Sequence, residues 1–132
     1  MEHVFLASDL AQKRREVIDE ARSDFAQIRD TDGTSLVMLE QVRFDFLRGM
    51  LAVVPKWVML DLALGRPYGE RRSTDFGELA WLGAFDDDDQ IAFRRELLEA
   101  INLAVANADL STIKVCLDDW RRTAQALSNE KS

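Results

Sequence analysis

Hydrophobic positions along the chain change period several times, and each change marks a predicted element. His3-Val4-Phe5-Leu6 is a short run rich in strand formers. Ser8 is placed to cap a helix, with Asp9 in its first turn where the helix dipole favours negative charge. That helix is predicted to run to about Arg22, with Leu10, Val17, Ile18 and Ala21 at helical spacing and Arg14 interrupting the same stripe. Two strand-like segments follow, Phe25 to Asp30 and Ser35 to Leu39, separated by Thr31-Asp32-Gly33-Thr34. Asp-Gly predicts a tight hairpin of type I′, in which both central residues take positive φ.

From Gln41 to about Val54 the pattern is helical again, with Val42, Phe46, Gly49, Met50 and Val53 on one stripe. Pro55 is expected to end or kink this helix, and Lys56 to Leu64 to resume as a short apolar one. Gly65 to Ser73, with two Gly and a Pro, reads as the one linker and the weakest point of the chain. Asp75-Phe76-Gly77-Glu78 resembles a capping box, and Asp86 to Asp89 open a long helix carrying Phe93, Leu97, Ala100, Ile101, Ala104 and Ala108 on one face. A last helix carries Leu110, Ile113, Leu117, Trp120, Ala124 and Leu127, and the short connection at Asn107–Asp109 predicts an antiparallel helical hairpin with Asp109 as a cap.

Composition narrows the function classes. The 132 residues are 47% hydrophobic, enough to bury a core. The net charge is −7, distributed as −3 over residues 1–48, +2 over 49–72 and −6 over 73–132, so nucleic acid would have to be met by a local patch. One cysteine, Cys116, and one histidine, His3, cannot build a Cys/His zinc shell or an internal disulfide. No signal peptide or spanning segment is expected, since the most apolar stretch, Gly49 to Gly65, is short and broken by Pro55, Lys56 and Asp61. A cytoplasmic protein is the expectation.

Candidate chemistry is sparse. His3 has no nucleophile or acid at a known motif spacing, Cys116 lies among apolar positions, and no Gly-rich phosphate loop occurs. The Asp86–Asp89 run is explained by the helix dipole without a metal. Asp30 and Asp32 mimic the first ligands of a calcium loop, but Ser35 and Gln41 stand where that loop needs Gly and Glu. The expectation is therefore no enzyme, no cofactor and no metal. Lys13, Arg14 and Arg15, with Arg29, form the one basic grouping suited to phosphate contact; the plainer reading is a solvated face with Arg15 and Asp19 as an i,i+4 pair.

The order strand, capped helix, strand, Asp-Gly hairpin, strand, helix, carried by VFLASDLAQKRREVIDEAR and IRDTDGTSLVMLEQ, resembles the N-terminal half of the prevent-host-death (Phd/YefM) antitoxin family. The resemblance covers residues 3–48. It implies a small α+β fold that dimerises through its sheet and second helix, binds operator DNA through its N-terminal region and presents its C-terminal segment to a cognate toxin. The chain departs from the family at Ala11 and Arg14 in the helix and in the acidic hairpin tip Asp30-Thr31-Asp32-Gly33.

Together these readings predict an α+β chain: residues 1–54 with a three-stranded antiparallel sheet, and residues 55–132 all helical, assembled as a homodimer. The expected function is that of an antitoxin that neutralises its toxin by direct binding and represses its own operon through Lys13, Arg14, Arg15 and Arg29. The alternative is a dimeric protein-interaction module that does not bind DNA. Toxin contact is assigned to Trp57, Leu60, Leu64, Trp81, Leu82 and Phe85, apolar anchors on either side of the Gly65–Ser73 segment.

Overall fold

The computed structural model describes residues 3–131. Its contacts group the chain into two compact units, Met1–Asp45 and Phe46–Ser132. The first is α+β, with β1 (Val4–Leu6), α1 (Asp9–Gln12), α2 (Arg14–Ser23), β2 (Ala26–Arg29) and β3 (Ser35–Met38). Helix α3 (Gln41–Leu64) begins in this unit and continues into the second, which adds α4 (Asp87–Asn107) and α5 (Ser111–Glu130).

The sheet has the order β1-β2-β3, and it is mixed rather than antiparallel. β1 runs parallel to β2, pairing Val4 with Gln27 and Leu6 with Arg29, and only β2 and β3 form an antiparallel hairpin. The physical reason lies in the connection: a strand that returns to its neighbour through a helical crossover arrives parallel. Phe5, Val17, Ala21, Ala26 and Ile28 form the core, with Met38 packed against it.

The single N-terminal helix expected from the pattern is divided at Lys13, whose φ of −127° and ψ of 36° break the helical course. The break shifts the register, so Val17 and Ala21 are buried while Arg14 turns outward and Leu10 stays exposed. Ser8 makes no side-chain cap; Asp9 instead accepts a hydrogen bond from the Leu6 amide at 2.8 Å. The hairpin also differs from expectation. Only Gly33 takes positive φ, at 89°, and its amide donates to the Asp30 carbonyl at 3.0 Å, which makes a three-residue loop rather than a type I′ turn. The Thr34 amide donates to the Asp32 carboxylate at 2.9 Å and holds its pKa below the usual carboxylate range.

Pro55 lies inside α3 without ending it, so the expected boundary at 54/55 falls within one continuous helix. A proline removes one amide donor, and the carbonyl that loses it belongs to Leu51, a residue on the solvent side. In the second unit α3, α4 and α5 pack around Leu60, Leu82, Phe93, Leu97 and Ala104. Asp86 caps α4 by accepting from the Asp89 amide at 2.9 Å, and Asp109 accepts from the Ser111 amide at 3.0 Å at the start of α5.

Between α3 and α4 the chain forms 3-10 turns over Tyr68–Glu70 and Ser73–Ala84. The expected capping box at Asp75–Glu78 is shifted: Asp75 accepts from the Arg72 amide at 2.9 Å. The second stretch kinks at Gly77, whose φ of 57° and ψ of −125° suit only glycine, and a Cβ there would also stand 3.2 Å from the Met59 methyl carbon. Gly77→Ala is expected to cost about 1–3 kcal/mol, read as a lower urea midpoint at unchanged slope.

Candidate functional site

Lys13, Arg14 and Arg15 stand at the break between α1 and α2, all exposed. Arg15 is tied to Asp19 at 3.3 Å with both side chains open to solvent, a pair worth little. Arg29 ends β2 and is also exposed; the Ala7 amide donates to its carbonyl at 3.0 Å, which brings Arg29 to the start of α1, one short helix away from Lys13. Among the described residues, Lys13, Arg14 and Arg29 show no ion pair.

The six residues assigned to toxin contact are brought together, but as structure. Leu60 and Leu82 are fully buried, and Leu64 and Phe85 are buried beside them. Trp57 is half-buried and donates from Nε1 to the Arg94 carbonyl at 3.0 Å. Trp81 is half-buried with its edge against Phe93 at 5.4 Å, and Trp120 closes the cluster at 5.4 Å from Phe93 and 5.2 Å from Phe85. The correction has a simple cause: helical spacing of large apolar residues fits core packing first, and four of these six have no free surface to offer. Nor is the Gly65–Ser73 segment loose, because Arg71 clamps it to the start of α4 through Asp87 at 2.6 Å.

The apolar surface that is exposed lies elsewhere, on the outer side of α3. Phe46, Met50, Val53, Trp57 and Leu60 turn towards the core of the second unit, and the opposite side carries Leu47, Leu51, Val54, Val58 and Leu62. At 100° per residue these five fall within about 80° of arc. Their steps of 4, 3, 4 and 4 resemble a coiled-coil seam. Leu51 is 75% exposed and Leu62 72%, an unusual state for aliphatic side chains arranged in line. Inspection of the sequence misses this stripe because α3 is apolar around most of its circumference, and periodicity does not say which face is covered.

Other candidate groups have structural occupations. His3 sets its ring edge-on to Phe5 at 4.3 Å. Of the aspartate run, Asp86 caps α4 and Asp87 meets Arg71, and among the described residues no three His, Cys, Asp or Glu side chains group as a metal site. Among them, too, no helix is long and apolar enough to cross a membrane. Cys116 is half-buried, and burial, with Glu96 and Asp119 nearby, pushes its thiol from the ordinary 9.0 up to about 11. The thiolate fraction at pH 8 is then about 100-fold below that of an ordinary cysteine. Alkylation by iodoacetamide is expected to be slow by a similar factor and to keep accelerating through pH 10, followed by mass spectrometry. No family model matches the chain, and neither a curated protein nor a solved structure matches it.

Proposed function

We propose that this chain is an antitoxin-type protein-binding module, a cytoplasmic homodimer that neutralises a protein toxin by direct contact. The observation that carries the dimeric, protein-binding part of the reading is the outer stripe of α3, Leu47, Leu51, Val54, Val58 and Leu62, which calls for a protein partner; the toxin as a further partner rests on the resemblance over residues 3–48. A second copy suits it. In an antiparallel two-fold pairing centred between residues 52 and 53, Leu51 of one protomer meets Val54 of its partner and Leu47 meets Val58, so four of the five apolar side chains face another, while Leu62 falls opposite Arg43. The first unit supports assembly as well, since its core rests on five buried residues while Leu36 and Val37 of β3 remain exposed. The element order over residues 3–48 is similar to the one on which the antitoxin resemblance rests, except that its single capped helix is here two helices, α1 and α2, with no side-chain cap at Ser8.

The test is growth rescue. Cells expressing the toxic product of a reading frame adjacent to this chain's gene are expected to recover when the native chain is co-expressed. Failure of rescue with a soluble, folded chain contradicts the antitoxin reading.

The exposure of Lys13, Arg14, Arg15 and Arg29 favours a second activity, operator binding through phosphates. Such binding weakens with salt by about 0.9 in log K per phosphate neutralised. Lys13→Ala is expected to lower that slope by about one without changing sequence preference. No retardation of the upstream DNA at 50 mM salt would leave the module without a DNA role.

A further inference from the structure

The inner side of α3 borders a cleft whose other walls are the 3-10 stretch Ser73–Ala84 and α5. Its volume is about 600 Å³, within the range of sites that hold small organic molecules. Val53, Leu79, Trp81, Ile113 and Leu117 give it an apolar lining. Lys56 reaches across one side to Glu78 at 2.8 Å and bridges α3 to the opposite wall. The Gly77 kink fixes the backbone beside Glu78, so the cleft is preformed rather than a gap between loose segments.

The charges at the rim select the occupant. Lys56 is satisfied by Glu78, but Lys114 and Arg121, which stand seven residues apart on α5 and line the same cleft, have no ion pair among the described residues. Asp118 lies between them in sequence and lines the cleft too, leaving an excess of one positive charge on that wall of an otherwise acidic molecule. An apolar lining below two uncommitted cations matches a molecule with a hydrocarbon body and a single carboxylate. We propose that this cleft binds a small amphiphilic carboxylate, a medium-chain fatty acid or arylalkanoic acid, with its body against Trp81 and Leu117 and its head at Lys114 and Arg121. The site uses the face of α3 opposite the outer stripe, so it is separate from the assembly proposed above.

Decanoate is the probe, and tryptophan fluorescence of the full-length protein is the readout, because Trp81 lines the cleft. Saturable 1:1 binding is expected, with decanol, which lacks the carboxylate, binding at least ten-fold more weakly. Lys114→Gln combined with Arg121→Gln, both exposed positions, is expected to weaken decanoate binding by at least ten-fold while leaving the thermal midpoint unchanged. Trp81→Phe should abolish the fluorescence change while calorimetry still detects binding. No saturable binding of decanoate, equal binding of decanol, or unchanged affinity in the double variant overturns the proposal.

Discussion

Phe93→Ala is expected to destabilise the second unit by about 3–5 kcal/mol, the range found when a buried aromatic ring is truncated. Phe93 is 0% exposed and is held edge-on by Trp81 and by Trp120, each at 5.4 Å, so the ring's removal loses both the transfer energy and two aromatic contacts. Neither tryptophan can swing into the space freely. Trp120 is anchored by its Nε1 donating to Glu96, and Trp81 is fixed by its place in the 3-10 stretch. All three tryptophans of the chain, Trp57, Trp81 and Trp120, lie in this unit, so urea unfolding followed by fluorescence reports it directly. Phe93→Leu keeps much of the volume and is expected to lose far less. A loss under 1 kcal/mol for Phe93→Ala would mean that the core is not packed as described.

Arg71→Ala is expected to cost about 3 kcal/mol, near the lower end for breaking a buried ion pair because one partner keeps access to water. The Arg71 side chain is only 7% exposed, whereas that of Asp87 is 44% exposed. Its guanidinium donates to the Arg66 carbonyl at 2.8 Å, to Asp87 at 2.6 Å, to Gln90 at 3.1 Å and to the Leu64 carbonyl at 3.1 Å. Gln90 in turn donates to the Leu82 and Phe85 carbonyls, so one planar cation links the end of α3, the segment after it and the start of α4. Truncation leaves these acceptors without this donor; the Gln90 side chain and the Leu64 carbonyl are part-buried and replace it with water least easily, whereas the Arg66 carbonyl and Asp87 stay open to solvent. Arg71→Lys is expected to recover little, because an ammonium cannot present the five-donor fork. Both variants should also become sensitive to proteolysis between residues 65 and 73. An Arg71→Lys protein with native stability would show that charge alone, rather than the fork, holds the segment.

How far the sequence carries can be judged from such elements. The hairpin was legible because Asp32-Gly33 lies between two strand-like runs, yet its loop type was not, since Thr34 bonding to Asp32 and the positive φ of Gly33 alone decide it. The stripes of α4 and α5 read correctly from Phe93 to Ala104 and from Ile113 to Ala124, where the residues at helical spacing are the ones turned inward, although Leu98, Leu103 and Val115 stand exposed off the stripe. The mixed sheet was available in principle from the helical connection between β1 and β2, a crossover that favours parallel pairing. The break at Lys13 was signalled by Arg14 falling on the apolar stripe, which was the trace of a register shift. Arg71 was not legible at all: a basic residue in a Gly-Pro segment looks solvated until the three segments it joins are seen together. The site suffered most. Leu60, Leu82 and Phe85 are large and apolar, as anchors are, but so are core residues, and only the fold separates them from Leu51 and Leu62.

The central claim, that the outer stripe of α3 is a self-association surface, is tested by sedimentation velocity of the native chain beside Leu51→Glu combined with Val58→Glu. Both positions are exposed in the single chain, so the substitutions leave its fold intact while placing charges in the proposed seam. The native protein is expected to sediment at micromolar concentration as a particle of about 30 kDa, twice the 15.0 kDa of one chain, and the double variant as a monomer. A native protein that stays at the single-chain mass, or a double variant that still dimerises, would contradict the account.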